Sequence, residues 1–261
     1  MRIHIHPDYE FLRSDIKRIV AGHYKVDKVF CNRRNVVEKI TVAGKEFVLK
    51  RYKRPTIPNC IAYTLFRKSK ARRAYEYALR LLKNGISTPF PVAYVEEKRY
   101  GFFHTGYLLT EYMNLPTLAQ INVEELPFEQ LHNLELDLIS FTILLQEKRI
   151  LPLDYNPSNI FYSYDERTGH FSFALTDINR MKFGRIPWSN DVMRCFEQFG
   201  ITTDKLYHFL LGYSIERGVD IDLCMFEFLR FRLIRKFRRF IKGKVKGAIE
   251  KRGREKIKQA L

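Results

Sequence analysis

Hydrophobic periodicity switches along this chain from a repeat of two to a repeat of three and four, and that switch limits the folds open to it. Residues 28–31 and 36–42 alternate as strands do, Ala43-Gly44-Lys45 offers a turn, and 46–51 completes a meander. Residues 51–70 are dominated by basic side chains, and Pro55 and Pro58 predict that no helix forms there. A helix is expected over 68–83, because Ala71, Ala74, Tyr75, Ala78, Leu81 and Leu82 share one face and Asn84-Gly85 supplies a stop. Two more strands are expected at 91–95 and 102–111. From Pro127 onward Leu131, Leu134, Leu138, Phe141 and Leu145 recur at helical spacing. An irregular stretch, 151–159, then leads into a hairpin of 160–164 with 171–176, and from Ser189 the pattern is mostly helical.

This order predicts an α+β chain with a small N-terminal sheet lobe, one added helix and a larger helical lobe. The boundary falls near 113–116, giving lobes of 1–113 and 114–225 followed by a basic amphipathic helix over 226–261. With 261 residues, 46% of them apolar, the chain can build a sizeable core.

The net charge of +17 attracts polyanions such as nucleic acid, anionic lipid or phosphorylated glycolipid, without choosing among them. Cys31, Cys60, Cys195 and Cys224 are far apart and lack metal-ligand spacing, which suits a reduced, cytoplasmic protein. Residues 1–10 hold no apolar signal-peptide core, and no uncharged run reaches the roughly 20 residues of a spanning helix. His4 and His6 alternate as strand residues do, with no third ligand to make a metal site.

The segment richest in chemistry is Leu153-Asp154-Tyr155-Asn156-Pro157-Ser158-Asn159-Ile160, where a carboxylate and an amide sit in a loop between a long helix and a strand. Asp177 follows at the end of the next strand. Phosphoryl transfer uses such a set: one carboxylate orients a hydroxyl and takes its proton, and hard oxygen ligands hold magnesium against phosphates. Asp and Asn also cap turns, which is the plainer use of the same residues.

In motif order, over roughly residues 29–183, the sequence resembles the lipopolysaccharide core kinases, the Kdo/WaaP family of the protein-kinase-like superfamily. The resemblance implies a bilobal protein-kinase-like fold that uses ATP and Mg2+ to phosphorylate an alcohol, namely a Kdo or heptose hydroxyl of the lipopolysaccharide inner core on lipid A. It makes Asp154 the catalytic aspartate, and Asn159 and Asp177 the metal ligands. Lys50, in Val48-Leu49-Lys50, becomes the lysine that grips the α- and β-phosphates. Glu76 is the one acid between Arg67 and Lys83 and is expected to pair with Lys50, although Arg72 and Arg80 lie one turn away. In 108–113 the backbone around Glu111 and Met113 would hydrogen-bond adenine.

Three departures accompany the resemblance. Asn32-Arg33-Arg34-Asn35 replaces the glycine-rich phosphate loop, Pro152 stands in the place of the catalytic-loop histidine, and Asn179 occupies a glycine position that can require positive φ.

In the last segment Phe228, Phe231, Leu233, Ile234, Phe237, Phe240 and Ile241 alternate with Arg230, Arg232, Arg235, Lys236, Arg238, Arg239, Lys242, Lys244 and Lys246. That pattern suits an anionic membrane surface, here the inner face of the cytoplasmic membrane, and equally a helix half sunk in its own core. Nucleic acid is not the expected partner. The rival readings are a catalytically silent pseudokinase scaffold, a kinase for a protein or another small-molecule alcohol, and an RNA-binding protein.

Overall fold

The computed structural model describes residues 1–33, 35–185, 187, 189–199 and 203–260, without the side chains of 189–190, 203–205 and 245–260. It divides into two compact units, Met1–Arg185 and Ile186–Leu261.

The first unit opens with β1 (Arg2–Ile5), a 3-10 turn (Pro7–Leu12) and α1 (Arg13–Val20). The meander follows as β2 (Lys28–Asn32), β3 (Val36–Val42) and β4 (Lys45–Arg51), with Ala43 and Gly44 both at positive φ in its second turn. Next come α2 (Ile57–Leu65), α3 (Lys70–Lys83), β5 (Pro91–Arg99) and β6 (Phe102–Glu111). The strands form one antiparallel six-stranded sheet in the order β1-β5-β6-β4-β3-β2.

Both faces of this sheet are covered. Leu12, Ile16 and Ile19 from the N-terminal segment pack against Ile40, Phe47, Leu49, Ala93, Val95 and Leu109 on one face. Ala71, Ala74 and Tyr75 of α3 pack against Tyr52, Tyr94 and Leu108 on the other. Side chains alternate along a strand, so with Leu49 facing α1, Lys50 must face the α3 side, as does Leu108, its partner in register. Gly106 of β6 lets α3 approach closely, since a Cβ there would lie 3.2 Å from that of Ala71.

Two helices depart from expectation. The first third of the chain reads as short strands in sequence, yet the spacing of Leu12, Ile16 and Ile19 makes a helix ahead of the meander. The two prolines also fail to exclude α2. Pro55 precedes it, and Pro58 occupies its first turn, where a missing N–H breaks no hydrogen bond. By contrast α3 buries the predicted face, with Ser69 capping its start through the Arg72 N–H.

Beyond the sheet, α4 (Phe128–Glu147) leads to β7 (Ile150–Pro152), β8 (Ile160–Asp165), β9 (His170–Leu175) and β10 (Met181–Phe183). β8 and β9 are the predicted hairpin, and β7 pairs with β10. Phe141 of α4 packs on Phe173 of β9, and Asp137 accepts the Phe171 N–H at 2.7 Å.

The second unit holds α5 (Ser189–Phe196), α6 (Thr203–Arg217) and α7 (Ile221–Ala260), as the helical pattern predicts. Phe196 meets Phe209 and Tyr213 edge-on in its core. Cys224 and Phe228 of α7 are buried and Arg235 is tied to Glu197, whereas Phe226, Leu233, Phe237, Phe240 and Ile241 are exposed. Among the described residues no helix is long and apolar enough to cross a membrane.

Candidate active site

A cavity of about 830 Å³ opens in the first unit between the α3 side of the sheet and the start of the β8–β9 hairpin. Lys50, Glu111, Met113, Asn159 and Asp177 all line it.

The hairpin brings Asn159 and Asp177 together. Ile160 faces Leu175 in register, so the residues just outside that pair are opposed, and the Thr176 N–H donates to the Asn159 carbonyl at 2.9 Å. Leu175 is in turn fixed to the sheet side: its N–H donates to the Ser87 carbonyl at 2.9 Å and its carbonyl accepts the Thr88 hydroxyl at 2.6 Å. That double anchor sets Asp177 beneath Lys50, whose Nζ lies 2.5 Å from Asp177 Oδ1.

Asp177 sits at φ 49°, the left-handed region, which Asp tolerates better than most residues. Positive φ was expected at Asn179 instead. Asn179 is buried, and its amide donates to Asp177 Oδ1 at 2.6 Å, so it holds the carboxylate and the strained backbone lies two residues earlier.

Asp154 stands beside this pair. It lines a small hollow shared with Asn159, Asp177 and Arg180. Arg180 donates to Asp154 Oδ1 at 2.8 Å, and the Leu153 N–H donates to the Arg180 carbonyl at 2.9 Å. The Asn159 amide donates to the Asp154 carbonyl at 2.9 Å, closing the loop on itself. Tyr155 pins the loop to α4 through Thr142, 2.9 Å away. Pro152, in place of the expected histidine, is paired with Met181, so a strand pair braces this loop.

The expected pairing of Glu76 with Lys50 is not formed. Glu76 Oε1 and Oε2 accept from Arg72 at 2.9 Å and Lys68 at 2.7 Å. Arg72 lies one turn away on the same face of α3, and Lys68 just before the helix, so both reach Glu76 with little ordering of the chain. Burial alone would raise its pKa, but these hydrogen bonds outweigh it and hold the carboxyl below its ordinary range.

Glu111 turns its carboxylate away to accept the Tyr9 hydroxyl, and burial followed by that contact pushes Tyr9 up to about 12. The Glu111 N–H is spent on the Phe90 carbonyl, whereas neither the N–H nor the C=O of Met113 has a partner among the described residues. Of the turn that replaces the glycine-rich loop, Asn35 lines the cavity, and Arg34 lies outside the described residues.

The donor set fits a magnesium–nucleotide pair. With its amide nitrogen committed to Asp154, Asn159 keeps its side-chain oxygen for a hard cation. Asp177 spends Oδ1 on Lys50 and Asn179 and keeps Oδ2. No group of three His, Cys, Asp or Glu side chains that could hold a metal occurs among the described residues, so such an ion would take its remaining ligands from water and phosphate. Tyr52, buried beside Lys50, has a hydroxyl with no partner among the described residues; burial and then the Asp177 charge push its pKa well up.

Sequence reasoning assigned no role to Arg180, Asn179's amide or Tyr52. The signal for Arg180 was its place three residues after Asp177, but its partner Asp154 lies 26 residues away and only the β7–β10 pair joins them.

No protein-family profile matches the chain, and no curated protein matches its sequence. In structure it is similar to WaaP in complex with acyl carrier protein, with a TM-score of 0.59, 15% identity, and coverage of 93% of this chain and 99% of that one. The chain therefore has the bilobal protein-kinase-like fold, a curled sheet lobe followed by a largely helical lobe. Since 1221 solved chains match, the fold alone does not choose an activity.

Proposed function

We propose that this protein is an ATP- and Mg2+-dependent kinase that phosphorylates a sugar hydroxyl, the Kdo or heptose of a lipopolysaccharide inner core. The observation that carries this reading is the meeting of Lys50, Asn159 and Asp177 in one cavity with Asp154 at its edge. When bound, Mg-ATP supplies the phosphoryl group and an electrophilic phosphorus.

The protein's own residues do the rest. Lys50 offers a cation to the phosphates, and Asn159 and Asp177 offer oxygens to the metal. Met113's free backbone groups, with Glu111 beside them, suit a purine edge. Arg180 holds one Asp154 oxygen, leaving Oδ2 to orient the sugar hydroxyl and take its proton as the new O–P bond forms and the bond to the leaving ADP breaks. Glu76 is given no part in this chemistry.

The sugar acceptor rests on the resemblance in motif order and on the fold shared with WaaP. The excess positive charge suits a phosphorylated, lipid-anchored acceptor, and α7, with its exposed apolar side chains and cations, suits the inner face of the cytoplasmic membrane.

The test is incubation with purified lipid A core and Mg-ATP, followed by mass spectrometry of the glycolipid. A gain of one phosphate, absent with Lys50→Met, is the expected result. No gain together with no thermal stabilisation by millimolar Mg-ATP would favour the silent scaffold. Stabilisation without glycolipid phosphorylation would favour another alcohol.

A further inference from the structure

The prolines that argued against a helix at 51–70 hide a surface that only the fold reveals. α2 is seated on β6 by its inner side: the Thr64 hydroxyl accepts the Phe103 N–H at 2.9 Å, Tyr63 packs on the Phe103 ring, and Cys60 is buried. Its outer side carries Ile57, Ile61 and Leu65, one turn apart in a line, followed by Phe66. They are 77%, 42%, 62% and 86% exposed, and none of the described residues covers them. Four large apolar side chains in ten residues, all exposed, mark a candidate docking surface.

Charge identifies it. From Arg51 to Tyr75 the chain has eight Lys and Arg and no acid. Glu76 pairs with Lys68 and Arg72 and offsets one of their two charges, while Lys53 and Arg54 stand exposed before α2 and Arg67 follows it, its guanidinium near Tyr63. At the foot of the helix a hollow of about 220 Å³ is lined by Lys53, Arg54, Thr56, Asn59 and Lys70, with no acid in its wall. The first turns of α2 and α3 both contribute to it, which adds the positive ends of two helix dipoles. An apolar stripe collared by cations above an anion-sized hollow matches the acyl chains and phosphate of an anionic phospholipid. A second copy of the chain would bring like charge against like, and three of the four exposed side chains, at 57, 61 and 65, are aliphatic, which leaves Phe66 alone to stack on a nucleobase where lipid chains would engage all four.

We infer that α2 is a lipid-docking helix that inserts Ile61, Leu65 and Phe66 into an anionic membrane surface while the Lys53–Arg54 hollow takes a headgroup phosphate. Tyr52 lines both that hollow and the main cavity, so a bilayer held by α2 lies next to the candidate active site. The contact itself is independent of the kinase reading.

The test uses the full chain carrying Phe66→Trp, with vesicles of phosphatidylcholine with or without phosphatidylglycerol, and neither nucleotide nor saccharide. Emission is read as the difference from the unsubstituted chain, whose one tryptophan is Trp188. The expected result is a blue shift and quenching by brominated acyl chains on the anionic vesicles alone. Leu65→Glu should weaken the partitioning about tenfold, the cost of losing one buried leucine, and Lys53→Glu with Arg54→Glu should remove the dependence on phosphatidylglycerol. An indole that stays water-exposed while the protein is vesicle-bound would overturn the inference. So would a blue shift that grows with protein concentration alone, or one produced by RNA and not by vesicles.

Discussion

Lys50 and Asp177 form an ion pair, Nζ to Oδ1 at 2.5 Å, joining β4, one of the two central strands of the sheet, to the turn that follows the β8–β9 hairpin. Two pieces of chain 127 positions apart thus face each other across a cavity large enough for a nucleotide. The Lys50 side chain is largely buried whereas that of Asp177 is about one-third exposed, so the pair adds little to stability, about 1 kcal/mol or less. Its significance is positional: a cation and a carboxylate are held where phosphate and metal would meet.

Asp177→Asn is expected to abolish turnover while the protein stays folded, because Asn keeps the side-chain shape and tolerates φ near 49°. Asp177→Ala should abolish turnover as well and cost about 1 kcal/mol more in stability, through the left-handed backbone. Kinase assay and urea unfolding of both variants check this. An Asn variant with unchanged turnover would remove Asp177 from its role.

Glu76 provides a prediction about pH. Its carboxyl is held below the ordinary carboxylate range, because the hydrogen bonds from Lys68 and Arg72 overcome the opposing effect of burial. A depressed folded-state pKa contributes stability above the ordinary carboxylate value and loses it as pH falls through the folded value. Glu76→Gln should therefore be less stable than the natural chain at neutral pH, and the two should converge in acid. Urea midpoints across pH measure it. Turnover at neutral pH should remain within about threefold, since Glu76 makes no contact with Lys50; a fall of several orders of magnitude would return Glu76 to the catalytic set.

The sequence pattern carried the site further than it carried its surroundings. Asn159 and Asp177 were readable because a hairpin with a clear turn, Asp165 to Gly169, separates them, and any such hairpin opposes its two ends. Lys50 was readable because strand parity fixes which face it takes once Leu49 is buried. The partner of Glu76 was not, because two reachable cations on or beside α3 compete with one across the sheet, and proximity along the chain decided. α1 was hidden in a stretch read as strands, although Leu12, Ile16 and Ile19 already had helical spacing. α2 was hidden by a rule applied one position too broadly, since proline breaks a helix interior and not its first turn. The short β7–β10 pair joins residues some 30 positions apart, and three-residue strands leave no period to detect.

Removing residues 242–261 should weaken binding to anionic vesicles and reduce its sensitivity to salt. The segment carries eight Lys and Arg against two Glu, and each cation near such a surface contributes about 1 kcal/mol. The core side chains of α7, Cys224 and Phe228, remain in place, so the fold is expected to persist. Co-sedimentation across a salt series is the measurement. Unchanged binding and salt slope would place the membrane contact elsewhere.

Asp154 is the sharpest test of the reaction itself. If it takes the proton of the attacking hydroxyl, Asp154→Asn should lower kcat by about a thousandfold and leave nucleotide affinity nearly unchanged, since the side chain lies beside the main cavity and not in its lining. Arg180→Ala should produce a smaller loss of a different kind. It frees the carboxylate that Arg180 now holds at 2.8 Å, so kcat should fall through lost orientation of the base while nucleotide affinity stays. An Asp154→Asn enzyme of normal kcat would leave the cavity as a nucleotide site without a base.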